Sequence, residues 1–271
     1  MKIFKTKLEL KKHILSDKNI SFIPTMGGLH KAHASLIKKS KKKGGKTLVS
    51  IFVNPKQFND IKDFNNYPRN SKKDLKILKK LNVDFLYMPS YRDIFSFRPK
   101  KKIFMHNFSK KLCGKTRKGH FKGVLNIINR LLEIIKPKYI FLGIKDFQQL
   151  YLIEAHIIKR RIKTKVIPCK TVREINGVAC STRNYKLTKK QLKLASKVYK
   201  YLKTKKIIIK KDYRKFNTSE FKKYLFKLGL KKIDYIELFN TKTLKKIKKS
   251  GEKFNIFIAY YINKIRLIDN I

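Results

Sequence analysis

Residues 20–33, Ile20-Ser21-Phe22-Ile23-Pro24-Thr25-Met26-Gly27-Gly28-Leu29-His30-Lys31-Ala32-His33, run from an apolar stretch through a glycine pair to two histidines three residues apart. Residues 20–24 read as a buried strand and Gly27-Gly28 as the turn that ends it. A polar, lysine-rich helix carrying Leu36 and Ile37 is predicted over 33–43. Glycines let a backbone come close to a phosphate. A helix N-terminus presents unpaired N–H groups and partial positive charge. Two imidazoles at this spacing share one side of the first turn, so the arrangement suits a triphosphate. The plainer alternative is a glycine turn followed by two surface histidines. As metal ligands the pair is poor, because no neighbouring carboxylate or third histidine completes a site.

The flanking chain repeats the alternation. Strands are predicted over 47–53, 83–88, 139–142 and 165–168, and helices over 71–81, 119–135 and 146–161. Strands alternating with helices imply βαβ units and a mainly parallel, doubly wound α/β sheet over residues 1–171. Ligands of such sheets bind beyond the carboxyl ends of the strands. After residue 171 the pattern changes to helices at 188–203 and 218–228 and strands at 233–239, 254–262 and 265–268. A smaller α+β domain is therefore expected over 172–271, joined by a short hinge near 170–174.

Lysine and arginine number 70 against 17 acids, a formal charge of +53 over 271 residues. A nucleic-acid face would explain the lysines. Yet the chain is also rich in Ile (34) and Asn (17) and poor in Ala (6), with no Trp. Drift in an A/T-rich genome accounts for all of these together, so no specific nucleic-acid partner is expected. Apolar runs such as residues 46–54 are too short to cross a bilayer, and residues 1–12 show no secretory core. Three cysteines without C-x-x-C spacing fit a reducing cytoplasm.

Four further segments carry candidate chemistry. Gly45-Lys46-Thr47 imitates the end of a P-loop, but Ser40 stands where the leading glycine belongs and the triplet precedes a strand, so that reading fails. Val53-Asn54-Pro55-Lys56-Gln57-Phe58 places uncharged amides at a strand end, suited to a small polar substrate; an Asn-Pro turn explains it equally well. Gly143-Ile144-Lys145-Asp146-Phe147-Gln148-Gln149-Leu150 also leaves a strand for a helix. There Lys145 could neutralise phosphate, and Gln149 faces the cleft of Gln57 if the sheet is doubly wound. In Cys180-Ser181-Thr182-Arg183-Asn184, hydroxyls followed by Arg make an oxyanion clamp or, alternatively, a capping loop leading to Thr188.

The order and spacing of these segments, with Tyr67-Pro68-Arg69, Gly119-His120-Phe121-Lys122-Gly123-Val124 and Arg266-Leu267-Ile268-Asp269-Asn270, resemble the pantoate–β-alanine ligase (pantothenate synthetase) family, over essentially the whole chain. The resemblance implies a Rossmann-like domain with an HxGH-type signature and ATP-dependent condensation of pantoate with β-alanine through a pantoyl adenylate. It places ATP on Met26, Gly27, Gly28, Leu29, His30, Lys31, Ala32 and His33, with His33 as proton donor and His30 beside it on the phosphates. Gly143, Ile144, Lys145 and Asp146 would also hold ATP, with Lys145 on its phosphates. Val172, Cys180, Ser181, Thr182 and Arg183 would close over the nucleotide from the second domain. Pantoate falls to Gln57, Gln149, Val124 and Ile127, and β-alanine to Gln57. Catalysis would rest on His33, His30, Lys145 and Arg183. The family also implies Mg²⁺, with Asp74 as a candidate ligand, and a homodimer.

Several positions depart from the family pattern. Ala32 replaces the usual glycine of HxGH, Ile144 a glutamate, Cys180 and Thr182 two residues of Leu-Ser-Ser-Arg, and Lys73 an acid beside Asp74. Alternatives that remain open are a nucleotidyltransferase acting on another small acceptor, a nucleic-acid-binding protein and an inactive relative.

Overall fold

The computed structural model describes residues 1–17 and 19–271. The chain divides into two compact units, Met1–Lys170 and Thr171–Ile271. The first contains strands β1 (Lys2–Phe4), β2 (Ile20–Thr25), β3 (Lys46–Ile51), β4 (Phe85–Tyr87), β5 (Tyr139–Gly143) and β6 (Lys165–Cys169). Between them run helices α1 (Lys7–Ile14), α2 (Lys31–Lys41), α3 (Ile61–Asn65), α4 (Ser71–Lys80), α5 (Tyr91–Phe95), α6 (Cys113–Thr116), α7 (His120–Ile135) and α8 (Phe147–Lys159). No helix among the described residues is long and apolar enough to cross a membrane.

The six strands form one sheet in the order β1-β4-β3-β2-β5-β6, with every neighbouring pair parallel. Side chains of a strand alternate between faces, and both faces of this sheet are covered. Phe22, Leu48 and Ile140 pack with α1, α7 and α8 on one side. Ile23, Val49 and Phe141, one residue along each strand, pack with Ile37 of α2 and Leu78 of α4 on the other. That is why these strands read as continuous apolar runs. The chain steps outward from β2 to β3 and β4, and on the other side from β5 to β6. The reversal therefore falls between β2 and β5, and sheets of this kind bind ligands in the crevice beyond the strand ends at such a point.

Two corrections concern the ends of the first unit's elements. α2 starts at Lys31 and not at His33, because His30 serves as its N-cap. Its first turn therefore begins inside the histidine motif. β1 and α1 lie in a stretch with no predicted element; α1 is closed by a reciprocal cap between Thr6 and Glu9.

The second unit contains α9 (Lys189–Lys211), α10 (Thr218–Lys227) and an antiparallel sheet of β7 (Lys232–Asn240), β8 (Phe254–Ile262) and β9 (Ile265–Asn270). Ala195, Val198, Leu202, Phe221 and Leu225 of the helices pack on Ile236, Leu238, Ile256 and Ile258 of the sheet. α9 runs on past its expected end at 203, since residues 204–211 contain no Gly or Pro to break a helix; Asp212 ends it. Before α9 a hairpin is closed by a bridge between Arg173 and Ala179. Arg173 forks onto Asp269 of β9 at 2.6 and 2.9 Å and lies 4.3 Å from the Tyr199 ring centroid.

In the first unit one titrating group is locked inside the packing. His156 of α8 is fully buried. Its Nδ1 accepts the Phe104 N–H (3.1 Å) and its Nε2–H donates to Asn129 Oδ1 (3.1 Å); Asn129 in turn donates to the Lys101 carbonyl (2.6 Å). Burial, then the charges of Arg160 and Lys101, lower its pKa from 6.5 to about 4. The unfolded chain therefore binds the extra proton first, and stability present above pH 6.5 is lost as pH falls towards 4. Urea unfolding should show about 2 kcal/mol of this loss between about pH 7 and pH 5. His156→Gln should remove that share of the slope; an unchanged slope would refute the assignment.

Candidate active site

β2 ends in a loop whose shape is set from behind. Gly27 and Gly28 both have positive φ, 77° and 62°, which side chains disfavour. Thr25 Oγ1 accepts the Gly27 N–H (3.2 Å) and donates to the Ser50 carbonyl (2.7 Å). The carboxylate of Asp74, on α4 and only 2% exposed, accepts the N–H groups of Gly28 (2.9 Å) and Leu29 (2.8 Å). A Cβ on Gly27 would stand 3.0 Å from Asp74 Oδ2 and 3.2 Å from Ile51 Cγ2, so the glycine is required by space as well as by φ.

Asp74 is thus placed as a loop anchor, and the structure gives no support to it as a metal ligand. Each of its oxygens already faces a backbone donor. Among the described residues no group of three His, Cys, Asp or Glu side chains could hold a metal ion. The donor set does not fit a protein-bound Mg²⁺. The same bonds revise the reading of the glycine turn: the amides of Gly28 and Leu29 are committed to Asp74, so they do not form a phosphate cradle.

The two imidazoles cap α2 reciprocally. His30 Nδ1 accepts the Ala32 N–H (3.2 Å), and His33 Nδ1 accepts the His30 N–H (3.3 Å). A nitrogen that accepts from an amide carries no proton, so each neutral ring is the Nε2–H tautomer. The rings lie 4.1 Å apart at 37°. Burial, then the neighbouring His30, then Lys145, lower the His33 pKa from 6.5 to about 3. At neutral pH His33 is therefore a neutral donor through Nε2–H. β2 and β5 are parallel neighbours, so the loops that follow them leave the sheet side by side, and the Lys145 charge contributes to the His33 shift. The Lys145 side chain is only 16% exposed and lies 3.5 Å from Asp146 Oδ1. Ile144 packs its side chain against the core, as an apolar replacement can and a glutamate cannot.

The third loop follows β3. Pro55–Gln57 forms one short 3₁₀ turn, capped by Asn54, whose Oδ1 accepts the Lys56 N–H (3.2 Å). Asn54 Nδ2 donates to Gln57 Oε1 (3.2 Å) and to the Gly123 carbonyl (3.1 Å). Gln57 Nε2 in turn lies 3.0 Å from Met26 Sδ. The amide pair is therefore both an Asn-Pro turn and a link to the glycine loop. Val124 and Ile127 lie on the buried side of α7. Of the paired glutamines on α8, Gln148 is structural, accepting from Cys113 N and donating to the carbonyls of Phe108 and Lys111. Gln149 is half-buried.

A cleft of about 360 Å³ also opens beside this loop, against Met26, Gly27, Arg69 and Tyr91. Asp74 lines it as well, while the imidazoles, Lys145 and Gln57 do not.

In the second unit, Val172 and residues 180–183 come together at one end of the hairpin. The Val172 carbonyl accepts the Cys180 N–H (2.9 Å). The Cys180 thiol is buried and lies 3.2 Å from Glu174 Oε1. Ser181 Oγ accepts the Arg183 N–H (3.3 Å), capping the 3₁₀ turn Thr182–Lys186. Thr182 is buried and Arg183 half-buried.

Sequence reading named Asp74 as a candidate Mg²⁺ ligand and missed its hydrogen bonds to the loop amides. Asp74→Ala leaves two inward amides without an acceptor and should lower stability by about 2–4 kcal/mol. Chemical denaturation measures this, and a loss under about 1 kcal/mol would show that the loop holds itself.

A family model described as pantoate-beta-alanine ligase matches residues 2–271. A pantothenate synthetase of Fervidobacterium nodosum is 38% identical over 263 residues, covering 96% of this chain and 93% of that protein. The crystal structure of a pantoate-beta-alanine ligase from Francisella tularensis, complexed with beta-gamma ATP and beta-alanine, is 37% identical with a TM-score of 0.84, covering 100% of this chain and 97% of that one. A pantothenate synthetase from Thermus thermophilus superposes with a TM-score of 0.89 at 26% identity, covering 100% and 99%.

Proposed function

The chain belongs to the pantoate-beta-alanine ligase family, and on that footing we propose that it joins pantoate to β-alanine with ATP, through a pantoyl adenylate. The pantoate carboxylate attacks the α-phosphorus of ATP and pyrophosphate leaves. The β-alanine amine then attacks the activated carbonyl, and AMP leaves as the amide forms. The observation that carries this reading is that Lys145 and the His30–His33 pair stand on the loops leaving the neighbouring parallel strands β5 and β2, at the sheet's reversal point.

Negative charge concentrates on the transferring phosphate. Lys145 supplies charge there, and the two Nε2–H groups supply directed donors that need no reorganisation. Within the second unit, Arg183 offers a planar, always-charged oxyanion donor on the turn that Ser181 caps, grouped with Val172, Cys180 and Thr182 at one end of the hairpin. Gly143 and Asp146 border the nucleotide. Gln57 and Gln149 hold pantoate through its hydroxyls and carboxylate against Val124 and Ile127, and Gln57 reaches the β-alanine side. ATP would enter as its magnesium complex, the ion arriving with the nucleotide as substrate and offsetting phosphate charge. The enzyme works in the cytoplasm as a homodimer.

AMP release should require ATP, pantoate and β-alanine together, and pyrophosphate exchange should require pantoate alone as acceptor; exchange independent of pantoate would favour the nucleotidyltransferase reading. Lys145→Ala should lower the exchange rate by about 10²-fold or more, and near-normal turnover would remove Lys145 from the mechanism. Gln149→Ala should raise the pantoate KM about tenfold, with an unchanged KM counting against its role.

A further inference from the structure

The carbonyl of Gln57 is gripped by two side chains that no part of the proposed reaction uses. Arg117 Nη2 donates to it at 3.0 Å and His120 Nδ1 at 2.7 Å. Arg117 Nη1 lies 3.0 Å from His120 Nε2, closing a triangle. A guanidinium only donates, so His120 Nε2 accepts and its proton sits on Nδ1, facing Gln57. This is the tautomer opposite to that of His30 and His33. His120 is 9% exposed and opens α7.

The same helix turn presses on the loop elsewhere. A Cβ on Gly123 would fall 2.2 Å from the Lys56 carbonyl oxygen and 3.0 Å from Gln57 Cα, so α7 lies directly against the 3₁₀ turn. The Gly123 carbonyl also receives Asn54 Nδ2, the group that holds Gln57 Oε1. Main chain and side chain of Gln57 are thus both referenced to one turn of α7. A lysine at 117 could not serve, because one ammonium cannot span a carbonyl and an imidazole in the plane of a fork.

We propose that Arg117 and His120 are positioning residues, which fix the Gln57 amide for the two substrates it contacts. The inference rests on the reading of Gln57 as a pantoate and β-alanine contact. Pinning a carbonyl with a charge-assisted and a neutral donor removes the freedom that a short turn otherwise keeps, and orientation of reactants is what the amide-forming step needs most.

The test is steady-state kinetics of the full chain, with thermal melting to establish folding. Arg117→Met and His120→Ala should each raise KM for pantoate and for β-alanine about tenfold, while KM for ATP stays within about twofold. His120→Asn, whose Nδ2 can take the place of the Nδ1 donor, should recover most of the loss. In a Gln57→Ala background the penalty of His120→Ala should shrink below about twofold, because a residue acting through Gln57 has nothing left to position. Unchanged pantoate and β-alanine KM values in folded variants would overturn the proposal. So would a full penalty persisting without the Gln57 side chain, which would mark direct substrate contact. Absence of turnover in the wild-type protein with all three substrates would instead bring down the functional reading, and this one with it.

Discussion

A single carboxylate organises the crevice. Asp74 reaches from α4 to the loop after β2 and binds two consecutive amides at 2.9 and 2.8 Å. Those bonds hold two successive left-handed glycines, and the glycines set the point at which the chain enters α2. The entry point in turn determines which residue is the N-cap and which is one turn in, so the direction of both imidazoles follows from an acid 46 residues along the chain from Gly28. In a chain with 17 acids and 70 basic residues, Asp74 is one of few negative charges, and it is spent on this loop. Two other acids are used in the same way: Asp93 ties Tyr87 to the start of α1, and Asp269 ties the hairpin of the second unit to its last strand.

The imidazoles illustrate how polarity is set by main chain. With 59 lysines in the sequence, positive charge is abundant and poorly directed. What the crevice adds is two donors of fixed tautomer beside one lysine that is mostly covered. Amide donors determine the inner nitrogen of each ring, and the outer nitrogen follows by elimination. The protein departs here from the backbone nest that a glycine loop before a helix suggests, since its loop amides turn inward.

Much of the fold was legible because each buried strand is an apolar run stopped by Gly, Pro or a charged turn, and the ends of β2 to β6 lie close to the limits of the stretches expected. β1 was not legible. Lys2-Ile3-Phe4, three residues between Met1 and Lys5, gain their identity only by pairing with β4 at the sheet edge. α1 did carry a local signal, the Thr6–Glu9 cap, inside a stretch whose charge alternation masked it. At the site, sequence located the loops and their residue types. It named Gln149, while the inward turn of its neighbour Gln148 to the 108–113 segment is set by helix register and tertiary packing. It named Asp74 only as a candidate metal ligand, because the contact with the loop amides is purely tertiary.

Committing the loop amides to Asp74 has an evolutionary consequence. Codon drift can rewrite an exposed surface towards lysine with little effect on a hydrogen bond between a carboxylate and main chain, since the amide exists whatever side chain is coded. A binding face whose orientation depends on peptide groups can therefore keep its geometry while the surface around it is recoded. Biased composition can accumulate around it until the protein looks, by residue counts, like something that binds polyanions at large, while its selectivity stays confined to a few fixed angles of the chain.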